Sequence, residues 1–194
     1  MTQPNAPFNT ITELVAQAKA KPGSILYGSP GIATAGHLSV ELLQLVTGTK
    51  LTHVPYTGEN NAVADLLTGR IHLFAAGSGI TELVTAGKLK AIAVIGKERW
   101  RLFPNTPTVA ESGISGYGFE SFVGIVGPPG IPKDVQEALT KAIAASIAPS
   151  DVVAKLEQQG LVVTPKIGDE FLKYLQEDLV AWKKVVDASG LKMD

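Results

Sequence analysis

The 194-residue chain contains no cysteine, so neither a disulfide nor a thiolate metal site is available to it. That absence leaves the compartment open, because cysteine-free proteins occur in reducing and oxidising surroundings alike. Histidine is scarce: His37, His53 and His72 are the only three, and they show neither metal-ligand spacing nor an HExxH frame. An excess of one charge is also missing. Lys and Arg total 17 against 18 Asp and Glu, dispersed through the chain, which argues against a nucleic-acid partner. No apolar run reaches the roughly 20 residues that cross a bilayer. The leading residues, Met1 to Pro7, lack a basic segment followed by an apolar one, so no export signal is read here. What is present is 45% hydrophobic residues, enough for one good core or two small ones.

Glycine and proline divide this apolar material into short segments. The central stretch is Tyr27-Gly28-Ser29-Pro30-Gly31-Ile32-Ala33-Thr34-Ala35-Gly36-His37, preceded by the β-prone Ser24-Ile25-Leu26-Tyr27 and followed by an apolar helix to Gly48. Such a strand-turn-helix seam suits two purposes. The free amides opening the helix form a receptor for an anion such as a carboxylate, or the glycines simply permit a tight connection. Upstream, Thr10-Ile11-Thr12-Glu13 has capping-box spacing and starts a helix that Lys21-Pro22-Gly23 stops. Downstream, strands are expected at Leu51 to Tyr56, Ile71 to Ala75 and Leu89 to Ile95. They alternate with helices through Val63, Leu66 and Leu67 and through Leu83 and Val84. This alternation predicts an α/β fold with a parallel-type sheet of four strands flanked by helices.

From Gly96 the pattern breaks into a charged and Pro-rich run, then a β-prone run from Phe119 to Val126, then Gly127-Pro128-Pro129-Gly130-Ile131-Pro132. Helices are predicted over 133–147, over 150–159 with Ser150 as N-cap, and over about 169–188, with a short strand at Leu161 to Thr164 between the last two. The expected division is a lead at 1–6, an α/β lobe at 7–100, a returning segment at 101–132 and a helical tail at 133–194.

Several stretches, in this order, resemble the solute-binding proteins of tripartite tricarboxylate transporters, the Bug family. They are Leu14 to Gly23, Tyr27-Gly28-Ser29 through His37-Leu38, His53-Val54-Pro55-Tyr56-Thr57-Gly58, Ala86-Gly87-Lys88-Leu89 through Val94, and Phe103-Pro104-Asn105-Thr106-Pro107-Thr108-Val109-Ala110-Glu111-Ser112-Gly113. The resemblance implies a two-lobed periplasmic binding protein of type II that closes on a small carboxylate and delivers it to a membrane permease. It also implies that the opening part of lobe one is missing, leaving residues 7–100 as a complete lobe two and 133–194 as helices of an incomplete lobe one. Their apolar faces, along Val135, Leu139 and Ile143 and along Phe171, Leu175, Leu179 and Trp182, then pack on lobe two or on a second copy in a homodimer.

With the resemblance included, the candidate ligand-binding residues are Ser29, Gly31, Ala33, Thr34, Ala35, His37, Tyr56, Gly77, Ser78 and Phe122. Ser29, Thr34 and the amides around Ala33 and Ala35 offer hydrogen bonds at a helix N-terminus. The alternative for Ser29 and Thr34 is simple capping. His37 either touches ligand or packs, and Tyr56 either binds through its hydroxyl or is a half-buried aromatic. Ala76-Gly77-Ser78-Gly79 ends a strand where ligands bind outside the carboxyl ends of parallel strands. Phe122 faces the cleft or the core. Ala75 stands where many family members carry an acid, which favours a plain or apolar acid over an amino acid.

No cofactor is implied, and enzyme readings are weak. Gly77-Ser78-Gly79 has Ala76 and Ile80 where a nucleophile elbow has glycines, and the glycine-rich turn lacks the Gly-Lys-Ser/Thr of a P-loop. A non-catalytic interaction module that self-associates through the C-terminal helices is the competing reading.

Overall fold

A computed structural model describes residues 1–191. The described residues form two compact units: 1–120 together with 183–191, and Ser121–Trp182.

The first unit begins with α1, Ile11–Ala20. Thr10 caps it by accepting the Glu13 amide at 3.1 Å, while the Glu13 carboxylate reaches back to the Asn9 amide, one residue earlier than a standard capping box. The chain then runs through β1 (Leu26–Ser29), α2 (Ala35–Thr47), β2 (Thr52–Pro55), α3 (Glu59–Thr68) and β3 (Leu73–Phe74). A 3-10 turn, Ser78–Ile80, leads into α4, Thr81–Thr85. Gly48 and Gly69 close α2 and α3 in the left-handed conformation that glycine adopts without a Cβ penalty. The strands form a parallel sheet of order β2-β1-β3, with Tyr27 level with His53 and Leu73 and Gly28 level with Val54 and Phe74. β1 is therefore central, and all three strands end on the same side.

The core under that sheet follows from α3. Ala62, Val63 and Leu66 occupy one helical face and pack with Ile71, Phe74, Ile80 and Leu89, all buried. Leu66 and Phe74 are fully enclosed, and each such side chain contributes about 1.5–3 kcal/mol by leaving water. Leu14 and Ala18 of α1 are also buried, together with Phe8 and Tyr27.

Four sequence expectations are corrected. Leu89 to Ile95 is not a fourth strand: it makes single bridges, Lys90 antiparallel to Thr2 and Val94 parallel to Thr108, although Leu89 and Ile92 are buried. The lead itself lies beside β3, with the Met1 amine donating to the Phe74 carbonyl and the Phe74 amide to the Met1 carbonyl. Phe119 to Val126 carries no ladder, and Val123, Ile125 and Val126 are 80%, 72% and 76% exposed. Leu161 to Thr164 is irregular rather than a strand. Both runs have β propensity without a neighbouring strand to pair with, and propensity alone does not make a sheet. Finally, Ser150 is the first residue of its helix and Pro149 occupies the cap, where fixed φ rather than a side-chain hydrogen bond starts the turn.

The second unit holds α5 (Lys133–Ile147), α6 (Ser150–Gln158) and most of α7 (Asp169–Ser189). Phe122 meets Phe171 and Tyr174 edge-on there, at ring separations of 5.7 and 5.4 Å. The last residues of α7 belong to the first unit, where Val185 is buried.

Candidate functional site: the carboxyl end of the parallel sheet

The turn after β1 is held by side chains that are themselves buried. Ser29 is enclosed, and its hydroxyl donates to the Gly31 carbonyl at 2.8 Å and meets His53 Nε2 at 2.6 Å. Ala33 has φ +60, an uncommon conformation for a residue with a Cβ, costing about 1–2 kcal/mol. His37 secures it: the Ala33 amide donates to His37 Nδ1 at 3.0 Å. Nδ1 is thus the acceptor, and the ring proton sits on Nε2, 3.6 Å from Glu41 Oε1.

Behind the turn lies an aromatic and acidic cluster. The His37 and His53 rings stack at 3.8 Å, and Tyr27 stacks on His53 at 4.8 Å. The Tyr27 hydroxyl donates to Glu41 Oε1, to which Gln44 also donates at 2.7 Å. Burial opposes ionisation of Glu41, but the bonds from His37, Tyr27 and Gln44 outweigh it and hold its carboxyl below the usual range. Burial, reinforced by Glu41, pushes the Tyr27 phenol upward. Burial above all brings His53 down to about 4. The Ser29–His53 distance would suit a nucleophile and its base. The hydroxyl, however, is sealed from solvent and already donates within the turn, so nothing reaches it.

The start of α2 leaves backbone amides to be satisfied. Thr34 takes the N-cap position of α2, but its hydroxyl turns back to the Gly31 carbonyl at 2.8 Å and makes no cap bond. The amides of Ala35, Gly36 and His37 have no acceptor within the helix, and Ala35 is exposed. The second turn adjoins the first: a Cβ placed on Gly36 would lie 2.8 Å from the Ala75 carbonyl oxygen. Beyond it, Gly77 stands in open space and Ser78 begins the 3-10 turn, its carbonyl accepting from the Thr81 hydroxyl at 3.0 Å.

Of the ten candidates, the fold gathers Ser29, Gly31, Ala33, Thr34, Ala35 and His37 in one turn, with Gly77 and Ser78 in the adjacent one. Ser29 and His37 serve as internal struts. Tyr56 sits at the end of β2, but its hydroxyl donates to Asp65 Oδ2 at 2.8 Å; burial first and then Asp65 push the phenol up to about 12. Phe122 belongs to the second unit.

One residue at this end of the sheet is absent from the sequence reading. Glu59 opens α3 directly after β2, and its Oε2 lies 3.4 Å from where a Gly79 Cβ would stand. Its Oε1 is enclosed without a hydrogen-bond partner, one of two such buried side-chain atoms among the described residues, the other being Trp100 Nε1. An acceptor left in that state costs about 1–3 kcal/mol. Among the described residues, no three His, Asp or Glu side chains converge to hold a metal.

At its strand ends this α/β lobe thus carries helix-opening amides without helical acceptors, and the Ser29 hydroxyl that meets His53 is enclosed. The sequence profile described as "Tripartite tricarboxylate transporter family receptor" matches residues 1–191, and the chain belongs to that family. It is 30% identical over 181 residues to the "UPF0065 protein in tcbD-tcbE intergenic region" of Pseudomonas sp., covering 92% of this chain and 54% of that protein. It is 27% identical over 194 residues to Protein BugT of Bordetella pertussis, covering 100% of this chain and 60% of BugT. Among solved structures, R. palustris Rpa4515 with adipate superposes with a TM-score of 0.86 at 28% identity, over 97% of this chain and 63% of that one. A second, described as a periplasmic transporter, gives 0.86 at 30% identity, over 100% and 65%. The chain thus spans little more than half the length of the relatives in sequence. Family and fold are those of solute-binding receptors, which are not enzymes.

Proposed function

We propose that this chain forms part of a periplasmic receptor that captures a small carboxylate and hands it to the permease of a tripartite transporter. The observation that carries the reading is the row of amides at Ala35, Gly36 and His37, without helical acceptors and beside the open Gly77 turn. A helix N-terminus presents partial positive charge, and a carboxylate there accepts hydrogen bonds without needing a basic side chain. Adipate in a relative of the same fold supports the ligand class. In this reading Gly31, Ala33, Thr34 and Ala35 shape the subsite, Gly77 and Ser78 form its second wall, and Ser29 and His37 hold the first turn in place. Nucleic acid plays no part.

The homodimer belongs to the same proposal. Leu139 on α5 and Leu179 on α7 are 51% and 70% exposed, and a second copy provides cover for them. Sedimentation showing a monomer at every concentration removes that part alone.

The test of the receptor reading is thermal unfolding with mono-, di- and tricarboxylates. A ligand that binds only the folded state at 100 times its Kd adds about 2.7 kcal/mol and raises the midpoint. No shift with any acid, in a chain that unfolds cooperatively, refutes carboxylate capture by these residues.

A further inference from the structure

His37 Nδ1 can hold the Ala33 amide or a proton, but not both. A neutral imidazole carries hydrogen on one nitrogen and a free lone pair on the other. Here the Nδ1 lone pair accepts the Ala33 amide at 3.0 Å, while Nε2 carries its hydrogen 3.6 Å from Glu41 Oε1. A second proton enters only at Nδ1, where it would meet the Ala33 N–H donor to donor. What that amide secures is Ala33 itself, held at φ +60 two residues ahead of α2.

The titratable groups around the ring come from three elements. Glu41, on α2 with His37, favours the imidazolium by its charge. Tyr27, on β1, lies 6.0 Å from the His37 ring and donates to the same carboxylate, and burial keeps its phenol neutral. His53, on β2, stacks on His37 at 3.8 Å and 10°. Burial brings His53 down to about 4, so above that pH the stack holds no second charge. Enclosure of His37 and its place as third residue of α2, at the positive end of the helix dipole, resist protonation.

We propose that His37 is a proton-operated latch on the anion-binding turn: neutral, it holds Ala33 and the start of α2 in place; protonated at Nδ1, it releases them and weakens carboxylate capture. The effect on capture rests on the receptor reading above, and the latch itself does not. The proton comes from solvent and binds the Nδ1 lone pair, so an ion pair with Glu41 replaces the bond to Ala33. Glu41 offsets the new charge, and loss of turn geometry therefore decides the effect on an anion.

The His37 ring nitrogens and the Ala33 amide are followed by NMR in one acid titration of the full chain. Both should move with a shared midpoint. Across it Ala33 should lose at least about tenfold in exchange protection, corrected for the intrinsic effect of pH, while the amide of Val40 in the same helix keeps its own. His37→Asn sets an oxygen near the place of Nδ1 that accepts but does not titrate, and should make Ala33 protection independent of pH. His37→Gln carries its amide nearer the place of Nε2, leaves Ala33 without an acceptor and should remove protection at every pH. Glu41→Gln removes the charge that favours the imidazolium and should lower the midpoint. A ring that takes up its proton without moving Ala33, or stays neutral until the chain unfolds, overturns the latch; this parent titration decides even where a substitution fails to fold. Adipate then tests capture. Relative to His37→Asn, for which protonation of adipate itself is the same, the parent should lose at least about tenfold in affinity across the His37 midpoint. A constant ratio overturns control of capture and leaves the receptor reading standing, whereas no adipate binding by the parent at neutral pH overturns both.

Discussion

Gly36→Ala tests how closely the two strand-end turns approach. The added Cβ would lie 2.8 Å from the Ala75 carbonyl oxygen and 3.3 Å from Pro30 Cδ, and the nearer obstacle is main chain that cannot rotate away. The first turn of α2 must therefore retreat from the end of β3. Overpacking of this kind costs about 1–3 kcal/mol, whereas alanine in place of glycine within a helix returns about 0.5–1 kcal/mol. The balance is a loss of roughly 1–2 kcal/mol, which lowers the melting midpoint by about 3–6 °C in a chain of this size. Gly77→Ala is the control: with φ −81 and no atom within 4 Å of the new Cβ, it should stay within about 0.5 kcal/mol of the parent. Calorimetry and urea titration of both variants decide the matter. If Gly36→Ala melts at or above the parent temperature, helix propensity acts unopposed and the turns do not touch as described.

Thr10→Ala removes the hydroxyl that caps α1 and should cost about 1 kcal/mol in urea unfolding. Leu66→Ala opens a void in a fully buried position and should cost about 2–5 kcal/mol by the same measure, so a loss below 1 would mean that α3 does not pack on the sheet as described. His53 gives a pH dependence. Its pKa in the folded chain, about 4, lies below the ordinary 6.5, so as pH falls the unfolded chain binds the proton first. Stability is unaffected by His53 above about pH 6.5 and declines between there and about pH 4; His53→Gln should flatten that part of the profile, and an unchanged slope refutes the assignment.

The punctuation of this fold was legible in its residues. Thr10 with Glu13 marks the start of α1, and Gly48 and Gly69 mark the ends of α2 and α3, because capping and left-handed turns depend on local chemistry. Leu89 to Ile95 and Phe119 to Val126 were misread for the opposite reason: a strand exists only where a partner lies alongside, and partners are non-local. The anion-binding turn could be located but not its interior. Nothing in the spacing of Ser29, His37 and His53 shows that two imidazoles stack, or that the serine hydroxyl is buried against one of them. Glu59 escaped notice because acids on helices usually face solvent. The available signal was its position as the first residue of α3, directly after Gly58 at φ +110.

The bond between the Ala33 amide and His37 Nδ1 also gives the turn a built-in clock. Hydrogen exchange at Ala33 reports whether the turn is formed, because that amide is protected with or without a guest. Ala35 and Gly36, three residues or fewer along the chain, have no such protection of their own. A molecule seated on α2 would slow exchange at those two positions and leave Ala33 unchanged, whereas tightening of the whole lobe would slow all three together. A single deuterium-labelling experiment can therefore separate occupancy from rigidity before any ligand has been named.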